Sequence, residues 1–258
     1  MGSYGITNNS GGTYQQLKAQ SRDFKDFESY DEAVDWFSNS RNSNQNVWIN
    51  DENNSGLSSD ELYAVERYTG SLYRELNKMM FNTPLENLSE SNQYRQIVEN
   101  LHDAINKFEL KQGINVTRET DFRPFGKRKG VKMTVDEVKD FLNASGGVLQ
   151  NDGALSFCAG DRGMGVSSSG LIIHLAIPKS KGYCAYVDPI SSNNGENEVL
   201  VNNNSVFRYD PNSVRQDSGG RIHVNAYMLG VAKNQAISKD NKSTISKEKI
   251  SKKVNAKK

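Results

Sequence analysis

The sequence predicts an α+β domain, on three observations. Capping boxes and helical-period apolar stripes crowd the first half. From Gly113 onward the apolar residues fall in short alternating or continuous runs broken by Gly, Asn and Asp. The two kinds of segment are grouped, not interleaved, which argues against a parallel βαβ sheet. The chain has 258 residues, enough for one large domain or two small ones. It reads as one domain over 26–236. A flexible polar segment rich in Asn, Ser, Gly and Gln occupies 1–25, and a disordered Lys-rich tail occupies 237–258.

The elements follow in order. Ser29 opens a Ser-x-x-Glu box with Glu32, ahead of Ala33, Val34, Trp36 and Phe37. An Asn-rich loop is expected over 39–55. Ser58 and Glu61 form a second box. After it Leu62, Val65, Tyr68, Leu72, Leu76 and Met79 recur at helical spacing. A third helix follows Ser91, with Tyr94, Ile97, Val98, Leu101, Ile105 and Phe108 on one face. These stripes read as core. Residues 114–118 alternate as a strand, and Thr134 with Glu137 starts another helix that ends before Gly146 and Gly147. Further strands are expected at 154–159, 170–177, 183–187, 196–201, 205–209 and 221–229.

Composition excludes several classes. No apolar run approaches the roughly 20 residues that span a bilayer. No charged-then-apolar leader opens the chain, which points to a mature form or an export route without that signal. Cys158 and Cys184 lie in strand-like runs and read as two buried thiols, not a disulfide framework. With His102, His174 and His223 scattered, no metal site is expected. The net charge of +1 conceals an asymmetry. Residues 239–258 hold eight Lys against one Asp and one Glu, or +6, so the remainder carries −5. The plainer reading of the tail is a solubilising terminus and the functional one a weak anchor for nucleic acid or an anionic surface; a basic-tailed nucleic-acid binder is kept as the less favoured alternative. Phosphate-binding Gly-x-x-x-x-Gly-Lys, Gly-x-Gly-x-x-Gly, Gly-x-Ser-x-Gly and paired-His signatures are absent.

Three features carry possible chemistry. Arg118 shares a strand face with Ile114 and Val116, so its partly desolvated fork needs an anion; a phosphate, a carboxylate ligand or a structural ion pair would each serve. Ser156 sits on a buried strand ahead of the Gly-rich loop 160–165, which also holds Arg162; the plainer reading is an ordinary turn. Glu196 and Glu198 lie two apart at the start of an apolar strand, where period two puts both on one face. Two like charges there need a cation or ligand, unless the edge is simply solvated.

Taken in order, Arg, Ser and Glu-x-Glu after a helical half resemble the mono-ADP-ribosyltransferases of the arginine–serine–glutamate, clostridial-type toxin class. The segments IPKSKGYCAYVDPIS (177–191) and GENEVLVNNNSVFRYD (195–210) extend the resemblance, as do Tyr68 and the stretch from Tyr73 to Asn77. It covers roughly 26–236. It implies a helical half on a mostly antiparallel core of two sheets enclosing an NAD cleft. It also implies transfer of ADP-ribose from NAD to a protein side chain, with nicotinamide released.

By this resemblance Glu198 stabilises the cationic ribose and bonds its 2′-hydroxyl, and Ser156 orients Glu198. Arg118 and Asn77 bind NAD, with help from Arg162. Glu196 positions the acceptor and takes its proton. Glu at that position implies arginine as acceptor.

Two departures stand out. The family's Ser-Thr-Ser reads Ser156-Phe157-Cys158. Its Asn-x-x-Leu-Arg reads Asn77-Lys78-Met79-Met80-Phe81, leaving Arg162 or Lys78 for that phosphate contact. Alternatives are an NAD glycohydrolase and a non-enzymatic phage structural or interaction domain on the same fold. The resemblance leaves open a delivery subunit or a larger parent toxin. It also leaves open whether the chain acts in a host cytoplasm or, as a phage protein, inside a bacterium.

Overall fold

A computed structural model describes residues 14–50, 56–82, 94–160 and 170–232. Three helices start where the capping signals put them, while the helix expected after Ser91 begins at Arg95 behind an uncapped Tyr94, Ser91 lying outside the described residues. Ser58 and Thr134 each accept from the backbone three residues on, while Glu61 and Glu137 reach back to the cap nitrogens. Ser29 caps α2 (Tyr30–Ser38), but Glu32 accepts from the Glu28 amide at 2.7 Å instead of closing the box.

The remaining helices are α1 (Tyr14–Gln20), α3 (Gln45–Asn50), α4 (Ser59–Arg67), α5 (Tyr73–Asn82), α6 (Arg95–Lys107) and α7 (Val135–Ala144). The stripe from Leu62 to Met79 is not one straight helix. A π-turn, Tyr68–Leu72, joins α4 to α5, and Gly70 leaves helical geometry there with ψ of −127°.

The strands are β1 (Glu109–Leu110), β2 (Ile114–Thr120), β3 (Val148–Asn151), β4 (Leu155–Cys158), β5 (Leu171–Ile177), β6 (Ser180–Lys181), β7 (Cys184–Tyr186), β8 (Glu198–Val201), β9 (Ser205–Tyr209), β10 (Arg215–Gln216) and β11 (Ile222–Val231). The main sheet runs β3-β9-β11-β5-β2-β4-β8-β7, with β10 beside β11. All its pairs are antiparallel except β5 with β11. Only one residue pair, Thr117 with Cys158, joins β2 to β4. The two expected sheets are therefore two halves of one sheet meeting at a seam. β1 and β6 form a separate two-stranded ribbon.

Helices α2 and α6 pack against β7, and α4 packs on α6. Phe37 stacks on Tyr186 with centroids 4.1 Å apart, and Trp48 meets Phe108 edge-on at 5.4 Å. α6 buries Val98, Leu101, Ala104 and Ile105 on one stripe.

Two expectations are corrected here. The Asn-rich loop over 39–55 contains α3, whose Trp48 is fully buried and donates its ring N–H to the Ala104 carbonyl at 2.8 Å. One large indole outweighs the polar residues around it. The flexible segment to residue 25 likewise contains α1, because Leu17 buries against Ala176 and Tyr227. The Lys-rich tail at 237–258 lies outside the described residues.

Both thiols are free and buried, as expected. His174 and His223, far apart in sequence, stack at 5.2 Å. Among the described residues no helix is long and apolar enough to cross a membrane.

Replacing Phe37 with Ala should cost about 3–5 kcal/mol. Thr134→Ala, which removes only a cap, should cost about 1 kcal/mol. Urea denaturation followed by circular dichroism ranks the two.

Candidate active site

The seam between β2 and β4 gathers the candidate residues. Arg118 follows Thr117 on β2. Ser156 stands two residues before Cys158 on β4, and Cys158 pairs directly with Glu198 on β8. Alternation along β4 puts Ser156 and Cys158 on one face and Phe157 on the other. Ser156 Oγ donates to Glu198 Oε1 at 2.5 Å. Phe157 is fully buried and meets Phe207 edge-on at 6.4 Å, so the middle residue of the triplet belongs to the core. Cys158 still bonds, its Sγ donating to the Glu196 carbonyl at 3.3 Å.

Glu198 is 3% exposed. Its second oxygen accepts from Ser191 Oγ at 3.3 Å. Burial pushes its carboxyl up to about 7. The Ser156 hydrogen bond opposes this rise, the nearby charges of Glu196 and Asp188 add to it, and the Ser191 bond again opposes it.

Glu196 is not on β8, which corrects the expected strand 196–201. The strand begins at Glu198, and Asn197 between the two glutamates has φ of +54°. That left-handed residue breaks the alternation, so Glu196 is exposed while Glu198 is buried. Tyr186 donates to the Asn197 side chain at 2.8 Å and holds the turn.

Arg118 donates one N–H to the Ser156 carbonyl, across the seam. Its Nε is buried and has no protein partner. Burial works against its charge, while Tyr68 and Glu198 support it. Asn77 joins the group through α5: its Nδ2 donates to Tyr68 Oη at 2.8 Å, and that hydroxyl donates to the Ala154 carbonyl at 2.7 Å. Asn77 Oδ1 is also buried without a partner. The buried guanidinium N–H lacks an acceptor and the buried amide oxygen lacks a donor, so the pair suits a ligand that carries both an anionic group and a hydroxyl or amide N–H.

Arg162 lies outside the described residues, and Lys78 is exposed. Sequence reasoning missed Ser191 as a partner of Glu198. Its only signal was its place at the end of the 177–191 segment.

The sequence also matches the family model of the ADP-ribosyltransferase exoenzymes over residues 41–233. The chain belongs to that family. NAD is the family's substrate, and the unsatisfied groups of Arg118 and Asn77 fit it.

An NAD(+)–arginine ADP-ribosyltransferase, EFV, of Enterococcus faecalis is 25% identical over 205 residues, covering 72% of this chain. The chain spans 38% of that relative's length. The Clostridium limosum C3 exoenzyme superposes with a TM-score of 0.64 at 20% identity, over 81% of this chain and 98% of its own. BECa, from a binary enterotoxin of C. perfringens and solved with NADH, gives the same TM-score at 20% identity. It covers 80% of this chain and 50% of its own. These two share the fold of this chain, with its helical half on an antiparallel-rich sheet.

The raised carboxyl of Glu198 has a consequence for stability. Between the ordinary glutamate range and pH 7 the folded chain holds a proton that the unfolded chain has released, so stability falls as pH rises through that window. Glu198→Gln removes the titration. Thermal melts at pH 5 and pH 8 should show the parent losing on the order of 2 kcal/mol more than the variant.

Proposed function

We propose that the chain transfers ADP-ribose from NAD to an arginine side chain of a protein, releasing nicotinamide. The observation that carries this is the Ser156–Glu198 hydrogen bond at 2.5 Å together with the Arg118 guanidinium, which bonds the Ser156 carbonyl and keeps its Nε–H unpartnered, with Glu196 exposed two residues from Glu198. The arginine activity named for the E. faecalis relative supports the choice of acceptor.

Each residue has a physical task. Cleaving the nicotinamide–ribose bond leaves positive charge on the ribose, and an ionised carboxylate stabilises that charge electrostatically. Glu198 supplies it, with Ser156 fixing its orientation. Ser191 yields its place on Oε2 to the ribose hydroxyl. Arg118 takes the pyrophosphate through its free Nε–H, and the Asn77 amide oxygen accepts from a hydroxyl of the adjoining ribose. Arg162 is assigned to the same end of NAD by the family resemblance alone.

Glu196 is solvated and can meet a guanidinium with both oxygens, which holds the incoming nitrogen and accepts its proton. The acceptor is thus a protein presenting an exposed arginine. A separate delivery component, as in binary toxins, is the corresponding partner proposal for export or entry into a cell.

Incubation with labelled NAD and an arginine-bearing acceptor separates the roles. Glu198→Gln should abolish both label transfer and nicotinamide release. Glu196→Gln should lose transfer yet keep some nicotinamide release; equal loss of both would count against the division of labour. NAD cleavage by the parent should decline as pH falls below about 7, because protonation removes the Glu198 charge. A pH–rate profile checks this.

A further inference from the structure

Asp188 opens the short 3-10 turn before the glutamates and is fully buried. Among the described residues no ion pair reaches it. A buried carboxylate without a cation is costly unless hydrogen bonds replace its water. Four do so here. Oδ1 accepts from the Glu196 amide at 2.9 Å and the Glu198 amide at 3.2 Å. Oδ2 accepts from the Gly195 amide at 3.1 Å and from Tyr30 Oη at 2.9 Å.

Three of those donors are the backbone of the very segment that carries both glutamates. Gly195 and Asn197 both have positive φ, so residues 195–197 stand outside the ladder that begins at Glu198, and Asp188 is the acceptor that the Gly195, Glu196 and Glu198 amides share. Tyr30, at the start of α2, supplies the one side-chain donor, from a ring that is 38% exposed.

We propose that Asp188 is a positioning residue for the transfer reaction, holding the Glu196–Glu198 backbone in its reactive arrangement, and that the Tyr30 hydroxyl locks it in place. This rests on the transferase reading above. Neither residue touches Arg118 or Asn77 in the hydrogen-bond network, so binding of NAD and orientation of the glutamates separate. The charged and titratable groups around Glu198 are Arg118 from β2, Cys158 opposite it on β4, Tyr68 from the π-turn, and Glu196 and Asp188 from its own loop. Ser156 and Ser191 contact it as neutral donors. Removing the Asp188 charge should therefore ease ionisation of Glu198.

The test measures nicotinamide release from NAD by the full chain between pH 5.5 and 9, with thermal melts alongside. Asp188→Asn should lower kcat at least about tenfold, as misaligned groups do, with KM for NAD within about threefold. Its acid limb should move to lower pH. Tyr30→Phe, a change near the surface that leaves the core intact, should lower kcat about two- to fivefold with KM unchanged.

Should Asp188→Asn fail to fold, Tyr30→Phe decides alone. A Tyr30→Phe protein with parental kcat overturns the assignment. So does an Asp188→Asn protein whose kcat is parental, or whose kcat, KM and melting temperature deteriorate together with the acid limb unmoved. A parent that releases no nicotinamide, or a Glu198→Gln variant as active as the parent, overturns the transferase reading and this inference with it. Inert Asp188 and Tyr30 variants of a Glu198-dependent parent overturn this inference alone.

Discussion

The constraint on which the site depends is a carboxylate kept where a carboxylate is disfavoured. Glu198 is nearly excluded from water, and Glu196 and Asp188 add negative charge nearby. Two serine hydroxyls cap its oxygens, and the buried Arg118 guanidinium lies close enough to feel its field. In a medium of low polarisability such an arrangement acts strongly on any positive charge that develops beside it. The same feature makes the local structure expensive. The rest of the fold supplies the compensation, through the aromatic stack of Phe37 and Tyr186 and the buried stripes of α4 and α6.

Much of this was legible in the sequence, and the reasons are local. Capping boxes at Ser58 and Thr134 and the apolar stripe of α6 act within a few residues, so the pattern alone reports them. The main strands declared themselves through alternation or continuous apolar runs. The order of Arg118, Ser156 and Glu198 survived because each lies on a regular strand whose neighbours are also regular.

What escaped depends on distant partners or on unusual backbone. Trp48 makes a helix out of an Asn-rich stretch only because α6 offers a carbonyl and Phe108 offers a ring. Leu17 anchors α1 only because Ala176 and Tyr227 wait on the far face of the sheet. The placement of Glu196 was misread because strand periodicity assumes ordinary φ at every residue, and Asn197 does not comply. The kink at Gly70 interrupts a stripe whose spacing looks continuous, since a glycine in a helical pattern does not announce which torsion it will adopt. The triplet Ser156-Phe157-Cys158 looked like a weakened motif in one dimension. In three it divides between two faces, and the central position answers to Phe207.

The single rung between Thr117 and Cys158 has a mechanical meaning. Two side-chain bonds reinforce that rung, Thr117 Oγ1 donating to the Gly160 carbonyl at 3.1 Å and Arg118 donating to the Ser156 carbonyl, so the two blades of the sheet are pinned together at one point along the seam. Arg118 rides on one blade, while Ser156 and Glu198 ride on the other. The gap between guanidinium and carboxylate is then set at that pin, because Arg118 bonds the backbone of the serine whose hydroxyl holds Glu198.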